Sequence, residues 1–289
     1  MSRHDAPATR NRLSPPQFHA RLGCSTISFR HQVLAEALET ISSLGFTEID
    51  LGALPGVCDH VPYVLDARAV EDVASTVAAS GLQVRSVNGD VGDLNAPLAA
   101  GPRADRQSHL EMLIGLTAAT KARALVLPCG AIDHAPIETL ESDVALVADQ
   151  LGAAARVAAA HGVQLWTESL HLHRLCWNIE RAQLLSDQLP EDVGIVMDFS
   201  HIVASGGDPV DFVERFGPRI AHVHIRDAVA DNINLSVGNG QVDFARGLKQ
   251  LAEADYRGHF SLELETRDIH HEQRPAAAAK AGHHISALI

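Results

Sequence analysis

Cysteine, basic charge and long apolar runs are all scarce in this sequence. Its four cysteines, Cys24, Cys58, Cys129 and Cys176, are far apart and form no Cys-x-x-Cys pair, so we expect reduced thiols and no disulfide framework. Basic residues number 23 against 36 acidic ones, giving a formal charge of −13, whereas duplex binding rests on a basic surface. Every alanine-rich run is interrupted before the roughly 18 apolar residues of a membrane helix. We therefore expect neither nucleic acid nor a membrane as a partner.

Apolar residues and histidines are abundant by contrast. The chain is 46% apolar and 20% charged, which is typical of a globular protein with a substantial core. Its 289 residues allow two domains, or one α/β barrel of about 250 residues with a tail. Residues 1–20 mix Arg, His, Pro and Ser and lack the apolar stretch of a signal peptide. We predict a mobile tail at 1–20, one domain at 21–289 and a cytoplasmic location.

Short β-rich runs alternate with segments of helical period eight times along the chain. The predicted strands are Leu22–Ser28, Phe46–Leu51, Leu82–Val87, Ala124–Leu127, Val163–Glu168, Val193–Asp198, Ile220–Ile225 and His259–Glu265. Strands that alternate with helices form parallel sheets, and eight such units close a (β/α)8 TIM barrel. An open doubly wound sheet is the alternative. In a barrel, catalytic residues gather at the C-terminal ends of the strands.

Acidic residues and a histidine end the last four predicted strands. Glu168 ends the fifth, Asp198 the sixth and His224 the seventh, while Glu263 and Glu265 lie in the eighth. Carboxylates on neighbouring strands repel one another unless a cation or protons compensate them. Three carboxylates and one neutral imidazole suit Mn²⁺, Mg²⁺ or Co²⁺, with Zn²⁺ as a further alternative. We predict one divalent metal ion, with Mn²⁺ favoured.

The order of these motifs resembles that of a known superfamily. The motifs are Glu168, Asp198-Phe-Ser-His201, His224-Ile-Arg-Asp227, the glycine-rich loop 238–244 and Gly258-His-Phe-Ser-Leu-Glu263. Together they resemble the xylose isomerase-like TIM barrels, and within them the sugar phosphate isomerase/epimerase group that includes the D-tagatose 3-epimerases. The resemblance spans about residues 20–288. It implies that Glu168, Asp198, His224 and Glu263, rather than Glu265, bind the metal.

The resemblance also implies a reaction. A divalent ion would stabilise the enediolate formed when a proton leaves carbon next to a carbonyl, and Glu168 and Glu263 would serve as acid and base. The expected activity is that of a sugar or keto-polyol isomerase or epimerase, with a small sugar or cyclitol as partner and a homo-oligomer allowed. His201 is implied to contact substrate. The remaining substrate-binding candidates are His171, His173, Arg174, Asn88 and Asp227.

Three other functions compete with this interpretation. A leaving group beside the same carbanion would give a dehydratase or lyase, as in the inosose dehydratase and C-glycoside deglycosidase relatives of the superfamily. A nuclease resembling endonuclease IV needs further histidines on the third and fourth strands, which end in Ser86-Val-Asn-Gly-Asp90 and Leu127-Pro-Cys-Gly130 instead. The third competing function is that of a barrel that binds a ligand or partner without catalysing a reaction. Deuterium uptake from solvent would favour isomerisation or epimerisation, and loss of water would favour the dehydratase.

Overall fold

The computed structural model describes residues 18–289, which form a single (β/α)8 TIM barrel. Eight parallel strands make the barrel: β1 (Leu22–Cys24), β2 (Glu48–Ala53), β3 (Gln83–Gly89), β4 (Ala124–Pro128), β5 (Gln164–Glu168), β6 (Gly194–Asp198), β7 (Ile220–Ile225) and β10 (His259–Leu262). Hydrogen bonds join them in the order β1-β10-β7-β6-β5-β4-β3-β2. The two end strands of this order lie against each other, since a Cβ atom at Gly23 of β1 would be 2.8 Å from the carbonyl oxygen of Glu48 in β2.

Helices surround the strands in the described part of the chain. They are α1 (Leu34–Leu44), α2 (Ala67–Ser80), α3 (Ala100–Ala119), α4 (Leu140–Ala160), α5 (Ile179–Ser186), α6 (Phe199–Ala204), α7 (Pro209–Phe216), α8 (Phe244–Glu253) and α9 (Arg274–Ser286). Local signals set several of their ends. Thr139 and Ser142 form a capping box at the start of α4, and Gly45 ends α1 with a φ of 96°, a conformation that favours glycine. No helix among residues 18–289 is long and apolar enough to cross a membrane.

The eight predicted strands are all present, but their ends differ from the prediction. β1 stops at Cys24 rather than Ser28, because Thr26–Phe29 forms a 3₁₀ helix. Ser25 caps this helix, and its hydroxyl oxygen accepts a hydrogen bond from the backbone N–H of Ile27. β10 stops at Leu262, so Glu263 and Glu265 lie just beyond the strand. A hairpin that was not predicted, β8 (Asp227–Val229) with β9 (Asn232–Leu235), follows β7.

The predicted N-terminal tail falls mostly on residues 1–17, which lie outside the described residues. Phe18, which the prediction also assigned to the tail, is buried and stacks on Phe46 with ring centroids 4.3 Å apart. A Cβ atom at Gly282 of α9 would lie 2.6 Å from the same ring, so Phe18 also packs on the last helix. The packed part of the chain therefore begins before residue 21. The four cysteines are unpaired and buried.

Candidate active site

A cavity of about 330 Å³ opens at the C-terminal ends of the barrel strands. Its size is at the low end for small-molecule sites. One part of its wall is apolar, with Ile27 and Leu54 among its members, and another part carries acids, histidines and arginines. The polar lining residues are Asn88, Asp90, Glu168, His171, His173, Arg174, His201, Arg226, Asn234, Glu263, Glu265 and Arg267. This is the end of a barrel at which catalytic residues gather.

Glu168, Asp198, His224 and Glu263 converge at the base of this cavity, where Glu168 and Glu263 line it and the buried Asp198 and His224 lie behind them. Each offers one ligand atom, and the four atoms lie within 4.8 Å of one another. Nδ1 of His224 is 3.4 Å from Oε1 of Glu168 and 3.5 Å from Oε2 of Glu263. The side chains come from β5, β6 and β7 and from the residue after β10, which are adjacent strands in the barrel. Parallel register therefore brings together four residues that are distant in sequence.

Asp198 is oriented by the turn that follows β6. It is the N-cap of α6, and its Oδ1 accepts hydrogen bonds from the backbone N–H of Ser200 at 2.6 Å and of His201 at 3.3 Å. The hydroxyl of Ser200 donates to the same oxygen at 2.7 Å. Because the cap occupies Oδ1, Oδ2 faces the cluster, where Nη2 of Arg226 lies 3.3 Å away.

A further carboxylate, that of Asp50, lies on the other side of the His224 ring. Oδ2 of Asp50 is 3.5 Å from Nε2 of His224 and 2.8 Å from Nε2 of His222, and Ser86 donates to its Oδ1 at 2.8 Å. Asp50 is fully buried. Although burial opposes the shift, His222 and His224 lower the pKa of Asp50 well below its ordinary value. A carboxylate on the far nitrogen of a ligating histidine fixes the ring and increases its basicity as a ligand.

Negative charge is concentrated in this buried space, and the pKa shifts reflect it. Burial, with Glu168 nearby, raises the pKa of Glu263 to about 8, although His224 opposes the shift. Burial also opposes a charge on His224, but Glu263, Asp50 and Glu168 raise its pKa well above the ordinary value. The crowding of carboxylates contributes to both shifts, since close carboxylates need protons or cations as compensation.

The donor set fits a divalent cation. Three carboxylates and one imidazole form a mostly oxygen shell, which suits hard and borderline divalent ions. With His224 neutral, the three carboxylates and the buried Arg226 guanidinium sum to −2, the charge that one such ion balances. Nδ1 of His224 faces two of the carboxylates while Nε2 faces Asp50, so the imidazole is already oriented as a ligand.

Two neutral histidines form the wall beside Glu168. Burial lowers the pKa of His201 and of His171 well below the ordinary value, with Arg226 adding to the shift of His201 and His201 to that of His171. Nδ1 of His201 accepts from the N–H of Leu172 at 3.1 Å, and Nδ1 of His171 accepts from the N–H of His173 at 3.2 Å. His171 therefore carries its proton on Nε2, which lies 4.0 Å from a Glu168 oxygen. Both ring nitrogens of His201 face donors, because its Nε2, 3.9 Å from Glu168, also lies 3.2 Å from Nη2 of Arg226.

The other predicted substrate-binding residues have different surroundings. Asn88, His173 and Arg174 line the cavity. Nδ2 of Asn88 donates to Oε1 of Glu263 at 3.0 Å, so this amide already orients one cluster residue. Arg174 is held by Asp90 at 2.6 Å and by the carbonyl oxygen of Gly130 at 3.2 Å.

Asp227 is not among the residues that line the cavity. Its Oδ1 accepts from the backbone N–H groups of Ala228 and Val242, and its Oδ2 accepts from those of Gly238 and Gly240. The side chain is buried, and the three bonds from Gly238, Gly240 and Val242 hold the glycine-rich loop against the end of β7. In this position Asp227 supports the loop.

Sequence reasoning missed Asp50 and Arg226. Asp50 lies between Ile49 and Leu51 in the second predicted strand, and a carboxylate between two apolar residues of a strand was an available signal. Arg226 lies inside the quoted motif His224-Ile-Arg-Asp227, between two residues that were selected. Its Nη2 reaches Asp198, and its Nε donates to Ser200 at 3.0 Å. Only the spatial arrangement shows that this guanidinium belongs to the site.

Curated proteins similar to this chain match it over part of their length. The rhizopine catabolism protein MocC of Rhizobium meliloti is 32% identical over 131 residues, which cover 39% of this chain and 40% of that protein. An inosose dehydratase of Bacillus cereus is 30% identical over 105 residues, 30% of this chain and 35% of that enzyme. The matched segments thus span well under half of each relative.

Solved structures match nearly the whole fold at low identity. The 3-keto-D-glucoside 4-epimerase YcjR from E. coli has a TM-score of 0.71 at 19% identity, covering 90% of this chain and 98% of that one. The IolI protein, solved with a bound zinc atom, has a TM-score of 0.76 at 18% identity, and the match covers 93% of this chain and 99% of IolI. D-psicose 3-epimerase from Clostridium cellulolyticum, solved with D-tagatose, has a TM-score of 0.76 at 15% identity, and the match covers 93% of this chain and 99% of that enzyme.

The resemblance noted in the sequence is confirmed by a match to a family as a whole. Residues 38–287 fit the sequence profile of the family described as xylose isomerase-like TIM barrel, a range that takes in β2 through α9 and all four cluster residues. The chain belongs to the xylose isomerase-like TIM barrel family.

Proposed function

We propose that this protein is a divalent-metal-dependent isomerase or epimerase of a small sugar, cyclitol or related keto-polyol. The observation that carries the proposal is the convergence of Glu168, Asp198, His224 and Glu263 within 4.8 Å at the base of the cavity. An inosose dehydratase is among the curated relatives, and a 3-keto-D-glucoside 4-epimerase and a D-psicose 3-epimerase are among the similar folds.

These four residues would hold the cation, with Mn²⁺ favoured by the oxygen-rich donor set and Zn²⁺ supported by the zinc atom in IolI. A bound cation supplies positive charge that stabilises negative charge developing on substrate oxygens. The α6 cap orients Asp198, and Asp50 places a carboxylate 3.5 Å from Nε2 of His224, before any substrate binds. The protein thus contributes a preorganised centre.

Glu168 and Glu263 would move the proton. Both carboxyl groups reach the cavity, and they approach His224 from two different strands. One of the two would take the proton from carbon and the other would return a proton, and we assign the first role to Glu168. Nε2–H of His171 points towards the same region and would donate to a substrate hydroxyl or carbonyl oxygen, and His201 lines the cavity beside it.

Solvent-isotope exchange tests this proposal. Wild-type protein loaded with Mn²⁺ is incubated in D₂O with a panel of ketoses and keto-cyclitols, and recovered compounds are analysed by mass spectrometry and NMR. We expect deuterium at one carbon next to a carbonyl and a product isomeric with its substrate. Glu168→Gln removes the base and should abolish exchange, whereas Glu253→Gln on the exposed face of α8 should leave it unchanged. Exchange that persists in Glu168→Gln would refute the assignment.

A dehydratase is the second candidate, because inosose dehydratases are among the curated relatives. Removal of the same proton, followed by departure of a neighbouring hydroxyl as water, would use the same residues. The isotope experiment separates the two functions. A product lighter than its substrate by one water favours the dehydratase, and an isomeric product favours the epimerase or isomerase.

A further inference from the structure

Three arginines surround one carboxylate at the outer part of the cavity. Nη1 of Arg30 lies 2.8 Å from Oε1 of Glu265, Nη2 of Arg267 lies 3.3 Å from the same oxygen, and Nη1 of Arg226 lies 3.5 Å from Oε2. Glu265, Arg226 and Arg267 line the cavity directly. We call the group Arg30, Arg226, Arg267 and Glu265 the arginine rim.

Arg226 connects the rim to the carboxylate cluster below it. Its Nη2 faces Asp198 at 3.3 Å and Glu263 at 3.7 Å, while Nη1 faces Glu265. The guanidinium is only 2% exposed, so its position is fixed by its partners. The rim and the proton-transfer carboxylates are therefore separated by the width of one guanidinium, and one small molecule can reach both.

The charges of the rim do not cancel. Arg226 is already counted with the three carboxylates below, where its charge and a divalent cation balance them. Arg30 and Arg267 then face Glu265 alone, which leaves a surplus of one positive charge. Among the described contacts, Arg30 donates to Glu265 and to the carbonyl oxygen of Val57 through Nη1, so Nε and Nη2 remain available. The nearby Arg174 adds nothing to the surplus, because Asp90 neutralises it.

We propose that the arginine rim is a subsite for a carboxylate group of the substrate. A carboxylate carries the single negative charge that matches the surplus, and guanidinium groups bind it with two parallel hydrogen bonds. The subsite rests on the proposed function, and it narrows the substrate class to polyhydroxy acids, such as keto-aldonic or related cyclic acids. The reacting carbon would lie above Glu168 and Glu263, and the carboxylate would lie at the rim.

Three probes of matched carbon skeleton test the subsite: D-gluconate, D-glucitol and D-glucitol 6-phosphate. Their dissociation constants are measured by calorimetry on the full chain loaded with Mn²⁺. We expect gluconate to bind at least about tenfold more tightly than neutral glucitol, as hydrogen bonds to a charged group allow. Equal affinity of gluconate and glucitol, or no measurable gluconate binding, would overturn the proposal. Tightest binding of the phosphate would overturn the choice of carboxylate.

Rim variants separate this subsite from binding of gluconate to the cation itself. Arg30→Gln should reduce the preference for gluconate about tenfold, and Arg267→Gln, whose side chain is 67% exposed, about threefold. Metal content, measured in parallel, should not change. Arg257→Gln is the matched control, because Arg257 is exposed and precedes β10 at the opposite end of the barrel. A preference unchanged in both rim variants would refute the subsite, even if isotope exchange had confirmed the proposed reaction.

Discussion

Replacing Asp50 by asparagine should weaken cation binding although the substitution changes none of the four proposed ligands. Asp50 lies behind His224, with Oδ2 3.5 Å from its Nε2 and 2.8 Å from Nε2 of His222. Asparagine keeps the shape of the side chain but removes the charge that orients the imidazole. Loss of such a supporting carboxylate costs about 10-fold to 100-fold in metal affinity.

The same change should also destabilise the fold. Asp50 is fully buried, with its Oδ2 2.8 Å from Nε2 of His222, and removing one partner of a buried hydrogen bond costs about 1–3 kcal/mol. Affinity must therefore be measured under conditions in which the variant is folded. Mn²⁺ titration by calorimetry provides the dissociation constant, and circular dichroism during urea unfolding provides the free energy of unfolding.

Glu48→Gln is a closely matched control. Glu48 lies two residues earlier on β2, is 5% exposed and pairs with Arg85 at 2.5 Å and with His259 at 2.8 Å. It is at the opposite end of the strand from the cavity, so its loss should lower stability and leave Mn²⁺ affinity within about twofold of wild type. The reasoning is refuted if Asp50→Asn binds Mn²⁺ as tightly as wild type, or if Glu48→Gln loses as much affinity.

Two further predictions concern proton linkage and the glycine-rich loop. The pKa of Glu263 is raised to about 8 and that of His224 is also raised, and a cation must displace both protons. Apparent Mn²⁺ affinity should therefore fall at least about tenfold per pH unit below pH 8, with proton release visible in calorimetry across buffers of different ionisation enthalpy. An affinity that is constant from pH 6 to 8 would contradict this prediction. Asp227→Asn replaces one acceptor oxygen by an amide that faces backbone N–H groups, so it should cost about 1–3 kcal/mol of stability and increase hydrogen exchange at 238–242; unchanged exchange would show that the loop is held by other contacts.

The barrel was predictable because its signals are local. Each strand is a short apolar run, and each return to the sheet is marked by glycine or a polar residue, as at Gly45. Strand lengths were less predictable. The 3₁₀ turn at Thr26–Phe29 follows from the Ser25 cap, whose geometry competes with extension of β1 in a segment of strand-like composition.

The site was predictable to the extent that it depends on strand ends. Glu168, Asp198 and His224 lie at or beside the C-terminal ends of their strands, which converge in any parallel barrel. Contacts between strands were not predictable in the same way. Asp50 contacts His224 across the interior of the barrel although the two lie 174 positions apart in the sequence. Arg226 contacts Asp198 through Nη2 and Glu265 through Nη1. Such pairings depend on register and side-chain direction, which periodicity does not specify.

Anomalous diffraction from a crystal of the Mn²⁺-loaded protein tests the central claim most directly. We expect one strong manganese peak within coordinating distance of Glu168, Asp198, His224 and Glu263. A peak elsewhere in the barrel, or no peak at these four side chains in a protein saturated with Mn²⁺, would contradict it.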